Sequence, residues 1–190
     1  GPRAAGALLG VQLASASAAS ADAALRNHVQ GKLMALAGRH PGAPGLLVVL
    51  RGLPGAGKST IAQRVAALAQ SAGLTCDVCS ADDLRPLVAG DVAAAHERCR
   101  AKFDASRADV VVVDNTNVRR KEYAYYLRRA RASGMQLLVL ELRTGADQLP
   151  ALLERNRHGV DAATMGKMQG AWEVDDDAVS LPLVLKSAQR

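Results

Sequence analysis

Aromatic side chains are scarce: Phe, Trp and Tyr together make up 3% of the 190 residues. The core must therefore be built from Ala, Val and Leu. Few rings are left on which unpaired bases could stack, which argues against a single-strand binder of the aromatic-platform kind. Cysteine is also scarce, with three residues, Cys76, Cys79 and Cys99. An odd number in a chain of this length does not form a disulfide framework and fits a reduced, intracellular compartment, cytoplasmic or nuclear. Cys76 and Cys79 have C-x-x-C spacing, but no second cysteine pair or nearby histidine pair completes a zinc set. In a strand, an offset of three puts them on opposite faces, so a structural role is expected. No apolar run approaches the ~20 residues of a membrane span, so no membrane partner is expected. Residues 1–20 are small and apolar, with a single arginine as a thin basic region, and the leading Gly-Pro matches a protease-cleavage remnant. That remnant leaves open an excised piece of a longer protein with further domains.

What is abundant is aliphatic and cationic. Hydrophobic residues reach 49% and the net charge is +6. The length suits one α/β domain. The positive balance admits an anionic partner such as nucleic acid without establishing it. Residues 1–45 read as an N-terminal helix and linker. Leu25, Val29, Leu33 and Leu36 lie at helical spacing within 21–38, and "RHPGAPG" at 39–45 is a Pro/Gly linker. Residues 46–190 read as the main domain. "LLVVL" at 46–50 is a short apolar run typical of a strand buried on both faces. Further strands are expected at 75–80, 109–114 and 137–142, with a fifth at 181–186. Helices are expected at 58–72, 91–107, 119–133, 147–157 and 161–172. This alternation predicts an α/β fold, a parallel sheet of four to five strands with helices on both faces. The acidic run "DDD" at 175–177 is expected to be a solvated loop.

Between the first strand and its helix stands "RGLPGAGKST". Gly52 to Ser59 fits G-x-x-x-x-G-K-[ST] in full, a P-loop. Glycines let the backbone curl so that its N–H groups face phosphate oxygens. Gly52, Pro54, Gly55, Ala56, Gly57, Lys58, Ser59 and Thr60 are the candidate nucleotide-binding set. Lys58 is placed to reach the β- and γ-phosphates and the Ser59 hydroxyl to ligate Mg²⁺. The helix that follows offers its positive dipole end to the same anion. The donor is expected to be ATP or another NTP. No guanine-reading N-K-x-D is present, and the chain is short for a motor ATPase.

Three further stretches sit where sheet topology puts ligands, beyond the carboxyl ends of strands. "SADDLR" at 80–85 supplies Asp82, Asp83 and Arg85. A carboxylate one strand over from the P-loop suits a general base, and Arg85 suits an acceptor phosphate. One of the two aspartates is also a candidate N-cap. "DNTN" at 114–117 puts Asp114 where a Walker-B-like carboxylate touches the Mg²⁺ shell. Asn115, Thr116 and Asn117 either bond the P-loop or acceptor, or satisfy their own backbone. The helix at 119–133 carries six cations against Glu122, either a solvated face or a nucleic-acid track. "ERNRHGVD" at 154–161 joins two helices, where small P-loop kinases close a helical lid. Arg155 and Arg157 are the candidates to neutralise developing charge there, with the lid at about 150–172. His158 stands in the turn and is assigned no role.

Together, "RGLPGAGKST", "SADDLR", "DNTN" and "RNRHGV" resemble the 5′-kinase domain of the phage-type polynucleotide kinases, over residues 46 to about 172. The resemblance implies a P-loop NTPase kinase fold with a small helical lid. It implies donor and magnesium contacts from Lys58 and Ser59, Asp82 as general base and Arg85 on the acceptor's 3′-phosphate. It also implies a lid arginine falling on Arg155 or Arg157. The expected activity is ATP- and Mg²⁺-dependent phosphorylation of a nucleic-acid 5′-hydroxyl, RNA ahead of DNA. The alternatives are a kinase acting on a 5′-monophosphate end, a nucleotide or a small metabolite, or a nucleotide-gated binding module.

Overall fold

The computed structural model describes residues 3–40, 42–157 and 159–183; His158 and residues 184–186 of the expected fifth strand lie outside the described residues. Five parallel strands run β1 (Leu46–Gly52), β2 (Cys76–Cys79), β3 (Val110–Asp114), β4 (Gln136–Leu142) and β5 (Val179–Ser180). Their order across the sheet is β2-β3-β1-β4-β5. The chain therefore steps to one side of β1 for β2 and β3 and to the other for β4. In open α/β sheets ligands sit at such a reversal, beyond the carboxyl ends of the strands, here β1 and β3. The fifth strand is shorter than expected and lies earlier, at Val179–Ser180 rather than from residue 181. It pairs with Leu140 and Glu141 of β4, and the Leu181 N–H just beyond it donates to the Glu141 carbonyl at 2.9 Å.

Every residue of β1 and β3 is buried, as the apolar runs require of strands covered on both faces. Alternation divides the side chains. Leu46, Val48 and Leu50 enter one core with Val110 and Val112, while Leu47 and Val49 enter the other with Val111 and Val113. The first core is closed by α1 (Arg3–Ala37) and α2 (Lys58–Ser71). Leu25, Val29, Leu33 and Leu36 of α1 are all buried in it. The second core is closed by α4 (Val92–Ala105) and α5 (Arg120–Ala132), through Ala95, Cys99, Phe103, Tyr123 and Tyr126. Its scarce aromatics are concentrated here, Phe103 meeting Tyr126 edge to face at 5.3 Å. Cys76 packs against the first core and Cys79 within the second, on opposite faces of β2. Burial pushes their thiols up to about 11 and about 12, respectively.

Three shorter helices shape the carboxyl edge. The single turn α3 (Ala81–Leu84) is capped by Ser80, whose hydroxyl accepts from the Asp83 N–H at 3.4 Å. The expected aspartate cap is thus corrected: Ser80 takes that place because it stands one residue before the turn, leaving both aspartates inside it. α6 (Leu149–Arg155) and α7 (Ala162–Gly170) form the helical pair beyond β4. Asp161 caps α7 by accepting from the Thr164 N–H at 2.7 Å. The acidic run at 175–177 is only partly the solvated loop expected. Asp175 is buried, accepting from the Tyr123 hydroxyl at 2.5 Å and lying 3.8 Å from Arg120.

Candidate phosphate-transfer site

The loop between β1 and α2 is built on two glycines in the left-handed region, Gly55 at φ +80° and Gly57 at φ +99°. A side chain at Gly55 would run into the Leu152 carbonyl oxygen of α6, so the loop and α6 touch backbone to backbone. Gly57 stands at the N-cap of α2 with no side chain capping that end. The first turn of α2 therefore keeps its N–H groups for an anion. Pro54 and Ala56 are buried. Lys58 curls into the loop, its Nζ donating to the Leu53 carbonyl at 3.0 Å.

The electrostatics tie three strand ends together. Burial lowers the Lys58 ammonium, opposed by Asp114 and then Asp82. Burial pushes the Asp114 carboxyl above its ordinary range, opposed by Lys58 and by a hydrogen bond with Ser59, while Asp83 and Asp82 push it further. Lys58 and Ser59 after β1, Asp114 at the end of β3, and Asp82 and Asp83 after β2 thus share one electrostatic neighbourhood. Asp82 and Arg85 face each other one helical turn apart at 3.8 Å, with side chains 40% and 38% exposed. That pair is open to solvent, so a large acceptor has access to it.

Asn115 and Asn117 brace the site. The Asn115 Oδ1 accepts from the Ala81 N–H at 2.9 Å, pinning the start of α3 to the end of β3. The Asn117 Nδ2 donates to the Leu50 carbonyl at 2.7 Å, and the Gly52 N–H donates to the Thr116 carbonyl at 2.9 Å. The asparagines thus bond neighbouring strands and helix starts rather than their own turn. Each fixes one functional loop to another.

The two lid arginines separate. Arg155 ends α6 half-buried, its Nη2 3.9 Å from where a Cβ on Gly57 would stand. Arg157 is exposed in the following turn. That turn is closed by the Asn156 Nδ2, donating to the Val160 carbonyl at 2.7 Å. Beside Gly57 and Thr60 lies a cleft of ≈ 180 Å³, with Ala21, Ile61, Leu142 and Pro182 as apolar walls and Arg155 and Arg64 among its charged lining. The entry of α1 to this cleft is invisible in the motifs, because it depends on how a distant helix packs.

Arg51 is the residue that motif reading passes over. It precedes the glycines, is fully buried and bonds three other segments. A charged side chain inside a buried strand is the sequence signal that marks it.

A family model described as an AAA domain matches residues 47–173. Three solved structures are similar. The Mycobacterium tuberculosis APS kinase CysC in complex with AMPPNP and APS is 21% identical, covering 72% of this chain and 88% of its own, at a TM-score of 0.54. Chaetomium thermophilum Kti12 in complex with ADP-AlF3 is 17% identical, covering 75% of this chain and 92% of its own, at 0.53. The AvrRxo1-ORF1:-ORF2 structure with ATP is 18% identical, covering 86% of this chain and 55% of the matched one, at 0.52. The fold is the α/β P-loop kinase-like fold, a five-strand parallel sheet with helices on both faces.

Proposed function

This chain belongs to the AAA-domain family, and from that premise we propose that it is a kinase that transfers the γ-phosphoryl group of ATP to the 5′-hydroxyl of a nucleic acid, RNA ahead of DNA. The observation that carries the reading is the shared neighbourhood of Lys58, Ser59, Asp114 and Asp82, with the solvent-open Asp82–Arg85 pair beside it. A half-buried cation and a hydroxyl on a curled glycine loop suit a triphosphate, and the Ser59–Asp114 pair suits a hard cation with oxygen ligands. Mg²⁺ held by Ser59 and Asp114 would neutralise charge on the phosphates. The cleft lined by Ile61, Leu142 and Pro182 is the proposed seat of the donor's adenine.

In the proposed reaction the acceptor oxygen bonds to the γ-phosphorus as the bond to the bridging β–γ oxygen breaks. Asp82 takes the proton of the attacking hydroxyl. Lys58 and Arg155 stabilise the charge spread over the equatorial oxygens, and Arg85 holds an acceptor phosphate. Of the two lid arginines, Arg155 is chosen for its approach to Gly57. General-base catalysis is worth about 10²–10⁴-fold, so Asp82→Asn should lower kcat by that factor and leave the ATP Kd nearly unchanged. Unchanged turnover would remove Asp82 from the base role.

A small-metabolite or nucleotide acceptor is the second reading, since Asp82 and Arg85 suit any phosphorylated alcohol. The exposed cations of α5 favour a polyanion. Lys121, Arg128 and Arg131 line one groove on that helix, whereas Arg129 is drawn to Asp104 at 3.0 Å. Arg128→Glu with Arg131→Glu separates the two readings: a metabolite kinase is insensitive to it, while an oligonucleotide kinase shows a raised acceptor KM.

A further inference from the structure

We propose that Arg51 is a positioning residue that binds the phosphate loop, the loop after β3 and the exit of lid helix α7 into one unit, so that occupancy at the phosphate loop is felt at Trp172. Arg51 lies one residue before Gly52, and alternation along β1 sends its side chain beneath the sheet towards α5. Its guanidinium is 5.2 Å from the Tyr123 ring centroid and 4.6 Å from that of Trp172, the residue two places beyond α7. Four hydrogen bonds leave it. Nε donates to the Asn117 carbonyl at 3.0 Å, Nη1 to Glu141 at 3.1 Å, and Nη2 to the carbonyls of Val118 at 3.2 Å and Glu173 at 2.5 Å.

The partners belong to different parts of the machinery. Glu141 is its register partner across the β1–β4 ladder and also accepts from the Ser180 hydroxyl at 2.8 Å, reaching β5. Asn117 holds φ +49°, a conformation that is costly for a side chain, and returns a bond to the Leu50 carbonyl. The Glu173 N–H donates to the Val118 carbonyl at 3.1 Å, so the same two loops are joined twice. Lysine keeps the charge facing Glu141 but cannot present a planar fork to three carbonyls in two separate loops. A shift of the phosphate loop on binding nucleotide is thus passed to the ring at 172 through one rigid cation.

Trp172 is the single tryptophan, so its emission is a local probe. The chain is titrated with ATP and Mg²⁺ while bound labelled ATP is counted independently by equilibrium dialysis. Emission should change in step with occupancy. In Arg51→Lys, ATP should still bind, its KM within about threefold, while emission no longer responds and kcat falls about 100-fold, the loss expected of a misplaced reacting group. Wild-type emission response and kcat in that variant overturn the proposal. So does silent emission of the unaltered chain at saturating ATP. Should Arg51→Lys not fold, hydrogen exchange on the unaltered chain decides. The amides of Gly52 and Glu173 should gain protection together on ATP binding, and protection of Gly52 alone overturns the coupling. The kinetic arm rests on the kinase reading. If dialysis counts no bound ATP, that reading fails separately. The coupling is then read by exchange in Arg51→Lys alone, where both amides must exchange faster together and a change at only one refutes it.

Discussion

Replacing Gly55 by alanine tests whether the phosphate loop and the lid are packed as one surface. Two costs are expected. Alanine at φ +80° costs about 1–2 kcal/mol in backbone strain. The new Cβ also meets the Leu152 carbonyl, which is backbone and cannot rotate away, so α6 must move. Leu152 is fully buried, and unpacking a side chain of that kind costs up to about 1.5–3 kcal/mol. Gly57→Ala is the matched control. Its φ of +99° imposes similar strain, but the nearest foreign atom is the Arg155 Nη2 at 3.9 Å, an ordinary van der Waals distance. At about 2–4 °C per kcal/mol for a chain of this size, Gly57→Ala should lower the Tm of the nucleotide-free protein by about 2–8 °C. Gly55→Ala should lower it by roughly twice as much, and should cut phosphoryl transfer by about 100-fold as Arg155 is carried off with α6. Differential scanning calorimetry with a transfer assay reads both. Equal Tm losses for the two variants would refute the reasoning, because the collision with α6 would then contribute nothing.

The Asp114 carboxyl is raised by burial, so between its ordinary value and its raised folded value the folded chain holds a proton that the unfolded chain has lost. Stability of the nucleotide-free protein should fall as pH rises through that window, and Asp114→Asn should flatten the fall while abolishing Mg²⁺-dependent transfer; urea melts against pH check this. The thiols of half-buried Cys76 and buried Cys79, pushed up to about 11 and about 12, should alkylate much more slowly than free cysteine at pH 8, read by mass spectrometry; rapid labelling of either would contradict its raised value. For Arg128→Glu with Arg131→Glu, the log–log salt slope of single-stranded RNA binding should shrink by about 0.7 for each phosphate that the helix no longer neutralises; an unchanged slope would take α5 out of the interface.

Much of this architecture was legible because its signals are local. The apolar runs at 46–50 and 109–114 are strands buried on both faces, and the glycine motif sits between a strand and a helix as its chemistry requires. The coming together of Lys58, Ser59, Asp114 and Asp82 follows from one rule, that loops at the carboxyl ends of neighbouring parallel strands meet. What escaped is non-local. The bracing of Asn115 and Asn117 depends on which strand lies beside β3, and the burial of Asp175 depends on Tyr123, 52 residues away. Arg51 needed the register between β1 and β4 to meet Glu141, and no pattern within ten residues carries that information. The fifth strand lies at Val179–Ser180 rather than from residue 181 because its place is set by register with Leu140 and Glu141, which the apolar run "LPLVLK" does not encode.

Transfer to a nucleic-acid 5′-hydroxyl is read in a single assay. The most direct test offers γ-labelled ATP and Mg²⁺ with two matched RNA oligonucleotides, one ending in a 5′-hydroxyl and one in a 5′-monophosphate. Label is expected on the hydroxyl end alone and is lost in Asp82→Asn. Label on the phosphorylated end alone, or on neither while ATP still binds, would contradict it.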